Sequence, residues 1–214
     1  TVVNVAQVNG KTLLTAPEIY ASFVGSTVGI TTEVVTTNSW GQPVSAAAAG
    51  SGFVITNDGY ILTNYHVIDG AQSIKVAFVD GTTYDAVLVG GEEENDIAVL
   101  KIDTTGLTPV IIGDSDNIKV GEQVVAIGNP LGELTYSMTQ GIISAKDRSI
   151  TMQNGEVMNM LQTDTAINSG NSGGPLFDMY GQVIGITSAK LSSSSSSSEA
   201  TIEGLGFAIP INDI

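Results

Sequence analysis

Short apolar runs separated by tight-turn signals recur from Val28 to the end of the chain, and this rhythm restricts the fold more than any other feature. Its clearest instance is Gly52-Phe53-Val54-Ile55-Thr56, then Asn57-Asp58-Gly59, then Tyr60-Ile61-Leu62-Thr63-Asn64. An Asp-Gly pair between two such runs signals a hairpin, because the tight turn needs a positive φ that glycine adopts freely. Residues 73–79 and 83–89 flank a second such turn at Asp80-Gly81, and 96–102 completes a first half. After a crossing at 104–117 that carries Gly106 and Pro109, strands are expected at 123–127, 138–144, 160–163, 182–188 and 205–209. The first strand is expected at 28–36, and 38–49, which holds Trp40, reads as a loop. Two halves of similar grammar predict an all-β chain of two antiparallel barrels rather than one sandwich.

Ahead of the strands, Thr15-Ala16-Pro17-Glu18 has the form of a helix start, with a capping threonine, proline in the first turn and a capping-box carboxylate. A short helix to about Phe23 follows from it. The expected organisation is an arm and helix over 1–23 and a domain over 24–214, its barrels spanning about 24–105 and 117–214. Ser192–Ser198 is a run of serine alone, expected as a surface loop. The chain ends at Ile214 without a turn or polar tail, as expected of a piece of a longer protein.

Composition narrows the chemistry. With 42% hydrophobic and 14% charged residues, the 214-residue chain has material for a core. A net charge of −15 argues against nucleic acid as a partner, because that binding depends on neutralising phosphates. No cysteine is present, so thiol catalysis and disulfides are excluded. One histidine and scattered carboxylates make a metal site unexpected, and no cofactor is implied. Glu92-Glu93-Glu94 reads as a solvated acidic loop.

Three residues form a candidate site: His66 at the end of a strand, Asp96 at the start of another, and Ser172 within Gly170-Asn171-Ser172-Gly173-Gly174. Serine becomes a nucleophile when a base takes its proton, histidine is suited to that task, and a carboxylate orients the imidazole. Taken singly, the glycine-rich stretch is a turn and the histidine a structural residue; together they supply each part of a triad. Asp80 and Asp103 are weaker candidates for the acid. The glycine–serine stretch also fits the G-x-S-x-G elbow of α/β-hydrolases, but those enzymes place histidine after serine, and no histidine follows Ser172. The order His66, Asp96, Ser172 is that of chymotrypsin-like proteases.

At these residues the chain resembles the protease domain of the HtrA/DegP family of trypsin-like serine proteases, from about Val24 onward. The blocks that carry the likeness are Ser51-Gly52-Phe53-Val54-Ile55, Leu62-Thr63-Asn64-Tyr65-His66-Val67 and Asn95-Asp96-Ile97-Ala98-Val99-Leu100-Lys101. Gly113-Asp114-Ser115, Val120-Gly121-Glu122, Ala126-Ile127-Gly128-Asn129-Pro130, Gln162–Leu176 and Gly206-Phe207-Ala208-Ile209-Pro210 extend it. The resemblance implies a trypsin-like double β-barrel, with Ser172 as nucleophile, His66 as base and Asp96 as its orienter. It implies an oxyanion hole at the N–H groups of Gly170 and Ser172, and substrate contacts at Ile167, Ser188, Ala189, Lys190 and Leu191.

The resemblance further implies polypeptide substrates, unfolded or damaged chains in quality control, a homotrimer formed through the N-terminal region, a C-terminal PDZ domain and an extracytoplasmic bacterial location. A catalytically weak chaperone of the same fold and a narrow-specificity secreted protease are the competing readings. Some positions depart from the family pattern: Ser169 stands where proline or arginine is common, Tyr65 where a small or polar residue is usual, and Lys190 in the wall of the first specificity pocket. In trypsin an aspartate before the nucleophile pairs with a freed N-terminus and orders the oxyanion turn; here the residue is Asn171, which cannot form that ion pair. Arg148 matches a sensor-loop arginine of the family, and residues 145–160 are expected to order on substrate or partner binding and so bring it onto the turn.

Overall fold

The computed structural model describes residues 7–8, 11–37, 41–129, 136–151, 157–189 and 204–214. Strands β1 (Gln7–Val8) and β2 (Lys11–Thr12) pair with each other and lead into helix α1 (Ala16–Phe23). The capping box forms as read: Thr15 N–H and its hydroxyl both donate to Glu18 Oε2 at 2.8 Å. The backbone N–H and then the hydroxyl of Thr15 favour the ionised form and hold the Glu18 carboxyl's pKa below the usual carboxylate range.

Strands β3 (Thr27–Thr37), β4 (Pro43–Val54) and β5 (Tyr60–Thr63) are followed by the one-turn helix α2 (Tyr65–Ile68). Then come β6 (Ala71–Ala77), β7 (Thr83–Glu92) and β8 (Ile97–Ile102). They close a barrel in the order β3-β4-β5-β8-β7-β6. After β9 (Ile111–Ile112), strands β10 (Gln123–Gly128), β11 (Ser137–Thr151), β12 (Val157–Thr163), β13 (Pro175–Asp178), β14 (Gln182–Ser188) and β15 (Gly206–Pro210) form the second sheet. Its order is β13-β10-β11-β12-β15-β14, and the β13–β14 pairing closes it, with β9 added in parallel to β14. The fold is the trypsin-like double barrel.

Several elements differ from the expectations above: β12 begins at Val157 rather than at 160, and β13 and the short β9 were not among the expected strands. Residues 43–49, read as part of a loop, belong to β4 and pair in continuous register with β3, from Thr37↔Pro43 to Thr31↔Ala49. Four alanines carry little strand preference of their own, and the β-branched partner strand overrides them. Strand β11 likewise continues beyond 144 to Thr151, with register shifts between Ile143 and Ala145 and between Ala145 and Arg148. Asp147, at φ 51°, lies in that irregular stretch. Trp40, the serine run and most of the N-terminal alternation lie outside the described residues.

The core explains why β10 reads as an unbroken apolar run. Val124 and Ala126 face a cluster with Ile143, Leu161, Leu176 and Ile184, while Val125 and Ile127 face one shared with Phe53 and Leu62 of the first barrel. A strand buried on both faces has no polar alternation. Helix α1 joins that shared cluster through Ile19 and Phe23, both buried, and the Phe23 ring stacks on Phe177 at 5.0 Å. Such a pair contributes about 0.5–1.5 kcal/mol beyond its area. The helix is therefore part of the core.

Candidate active site

His66 occupies the second position of α2, immediately after β5, so its backbone N–H is among those that a helix start leaves without an intrahelical acceptor. Asp96 satisfies it: His66 N donates to Asp96 Oδ1 at 2.9 Å. The same carboxylate faces the ring, with His66 Nδ1 at 2.7 Å from Oδ2 and 2.9 Å from Oδ1. Ser188 Oγ adds a donor at 3.4 Å to Oδ2. A carboxylate that is 1% exposed thus has three donors, as burial of a charge requires. Because a carboxylate only accepts, Nδ1 carries the proton and Nε2 offers its lone pair. Ser172 Oγ lies 3.0 Å from that nitrogen. The structure therefore brings His66 and Asp96 of the first barrel to Ser172 of the second.

The nucleophile is held by bonds between the barrels. Ser51 N donates to Ser172 O at 2.8 Å, and Ser51 Oγ donates to Gly170 O at 2.7 Å while accepting from Asn129 N at 2.9 Å. Gly173, at φ +84°, must be glycine on two counts: its backbone is left-handed, and a Cβ there would strike Ser51 O and Thr63 Oγ1. Asn171, in place of trypsin's aspartate, accepts from Asn168 N and donates to Ala166 O, each at 2.9 Å. It ties the loop to itself without a charge.

The N–H groups of Gly170 and Ser172 do not form an open oxyanion hole in this conformation. Gly170 N donates to Asn168 Oδ1 at 2.9 Å, and Ser172 N donates to Asn168 O at 3.1 Å. One asparagine, a residue the sequence reading left without a role, takes both donors.

Among the expected substrate-contact residues, Ser188 is buried on Asp96, Ala189 N donates to Ser172 Oγ at 3.1 Å, and Ile167 is partly buried beside Gly206. Lys190 and Leu191 lie outside the described residues. Arg148 is exposed on β11 opposite Met160, and its side chain makes no hydrogen bond or ion pair with the described residues. Tyr65 lies against Gly91, where a Cβ would strike its ring. Glu92, Glu93 and Glu94 are exposed, and among the described residues no group of three His, Asp or Glu side chains could hold a metal.

Comparison with known proteins agrees with this geometry. Residues 50–186 match the trypsin-like peptidase domain. A probable periplasmic serine endoprotease, DegP-like, of Halomonas elongata is 44% identical over 92% of the chain, and the serine protease Do-like HtrA of Bacillus subtilis is 46% identical over 78%. The chain spans 40% and 38% of their lengths. A solved serine-to-alanine variant of the HtrA-type protease AlgW, with a decapeptide, superposes with a TM-score of 0.82 at 34% identity, covering 93% of this chain and 64% of that one. Fold, triad order and these relatives agree: the chain belongs to the trypsin-like peptidase family and is similar along most of its length to HtrA/DegP-type proteases.

Proposed function

We propose that the chain is the protease domain of an HtrA-type serine endopeptidase that cleaves unfolded or damaged polypeptides outside the bacterial cytoplasm. The observation that carries this is the chain of contacts from Asp96 through His66 to Ser172 Oγ, at 2.7 and 3.0 Å. His66 Nε2 takes the hydroxyl proton as Oγ attacks a peptide carbonyl, and Asp96 stabilises the imidazolium. The imidazolium then protonates the leaving amine. Water, deprotonated by His66, releases the acyl group. For the attack to proceed, Gly170 and Ser172 must turn their N–H groups from Asn168 to the developing oxyanion, which is the residues' proposed role.

The same reading assigns substrate contacts to Ile167, Ser188, Ala189, Lys190 and Leu191. An unpaired ammonium inside an apolar pocket would be costly, so the family's preference for small aliphatic residues before the cut is expected to persist despite Lys190. Residues 145–160 rearrange when substrate or partner binds, and Arg148 then donates to carbonyl oxygens of the turn. The AlgW variant solved with a decapeptide supports a peptide as the ligand class. A homotrimer through 1–23, a PDZ domain downstream and an extracytoplasmic location complete the proposal; the DegP-like relatives named periplasmic support the last. Casein digestion tests the activity: cleavage that a serine-directed phosphonate blocks, and that is faster on unfolded than on folded substrate, is expected. Casein left intact by an active-site-competent preparation would favour the chaperone reading.

A further inference from the structure

Asn64 is completely buried and sits at the N-cap of α2, where an asparagine side chain ordinarily accepts from the helix's own N–H groups. Here it makes no such cap, because Asp96 Oδ1 has taken the His66 N–H. The amide turns inward instead. Its Nδ2 donates to the Asp96 carbonyl at 3.0 Å, and its Oδ1 lies 3.3 Å from Ser172 Oγ, a second acceptor for the one hydroxyl proton beside His66 Nε2 at 3.0 Å. A carbonyl accepts only, so one orientation of the amide satisfies both partners.

Both partners need such support. Asp96 has φ 54°, a left-handed backbone that a residue with a Cβ adopts at a cost. The bond from Nδ2 fixes its peptide and with it the direction of the carboxylate. Ser172 Oγ is bounded by the Ala189 N–H at 3.1 Å, His66 Nε2 at 3.0 Å and Asn64 Oδ1. These three contacts confine the oxygen to a place facing the imidazole.

We infer that Asn64 is a positioning residue that holds the catalytic acid and the nucleophile in register across the boundary between the barrels. The inference rests on the serine-peptidase reading. No other side chain touches both the acid's backbone and the reacting hydroxyl among the bonds of the described residues.

Asn64→Leu keeps the volume and removes both contacts. In the full chain it is expected to lower kcat about tenfold or more, leave KM within about twofold, and slow phosphonate labelling of Ser172 by the same factor as kcat. A second readout separates positioning from simple destabilisation. The chain has one histidine, so a low-field Nδ1–H resonance belongs to His66 alone. In Asn64→Leu that resonance is expected to move or broaden while the circular dichroism matches the wild type. If the leucine variant does not fold, Asn64→Ser, smaller and still polar, is read the same way. A kcat within twofold of wild type in a folded variant, or a lower kcat with the resonance unmoved, would overturn the inference. A wild-type chain that the phosphonate does not label would instead overturn the peptidase reading on which it rests.

Discussion

Removing the Asn168 side chain should raise activity. In the closed turn Gly170 N donates to Asn168 Oδ1 at 2.9 Å and Ser172 N to Asn168 O at 3.1 Å, so both bonds must break before the pair can bind an oxyanion. Each is a neutral hydrogen bond with a net value of about 1 kcal/mol. Together they disfavour the open turn by about 2 kcal/mol, roughly thirtyfold in population. Asn168→Ala removes the side-chain bond and leaves the backbone bond, returning about 1 kcal/mol, or about fivefold. Asn171 still accepts from the backbone N–H of residue 168, which limits wider damage to the loop. The assay is kcat/KM on an unstructured peptide, with a peptide boronate as a second reporter, since its affinity rises with the open population. Unchanged or lower kcat/KM with an unaltered melting temperature would refute the reasoning, and would mean that Asn168 supports the active turn rather than closing it.

Arg148→Ala is expected to lower turnover about tenfold, with melting temperature and assembly unchanged, because the Arg148 side chain is exposed and without a partner among the described residues. Wild-type turnover would leave it a surface arginine. Tyr136 is held by bonds to Ala77 O at 2.6 Å and from Gly29 N at 3.3 Å, and burial pushes its hydroxyl up to about 12. The folded chain therefore keeps that proton where the unfolded chain, titrating near 10, has lost it. Stability from this group is whole below about pH 10 and lost as pH rises toward about 12; urea denaturation should show that slope in wild type and less of it in Tyr136→Phe. For assembly, light scattering should compare the full chain with one lacking residues 1–13, because a cut at 23 would also remove the buried Ile19 and Phe23. A full chain that scatters as a monomer at micromolar concentration would contradict the trimer.

Where a local rule and the tertiary structure agree, the sequence was readable. The capping box at Thr15 and Glu18, the hairpin around Asp58-Gly59 and the strand before His66 each follow from a few adjacent residues. That His66, Asp96 and Ser172 come together was readable for another reason: a single histidine and one glycine-flanked serine leave few combinations, and chain order selects among the known arrangements. The alanines of β4 were not readable, because their strand state comes from β3 and not from themselves. Nor was the extension of β11 past its register shifts. Asn64 and Asn168 stood within quoted blocks, yet their roles depend on which way an amide turns. Asparagine at a helix start signals a cap, and here a carboxylate 32 residues away has displaced it.

The most direct measurement is active-site labelling with a biotinylated fluorophosphonate, followed by peptide mapping. The account predicts one adduct, on Ser172, absent from Ser172→Ala. That variant should keep the wild-type melting temperature while cleavage falls by about 10⁴–10⁶. The seven serines at Ser192–Ser198 provide an internal control, since a hydroxyl without a base should not react. An adduct elsewhere with Ser172 unmodified, or cleavage in Ser172→Ala above a tenth of wild type, would contradict the central claim.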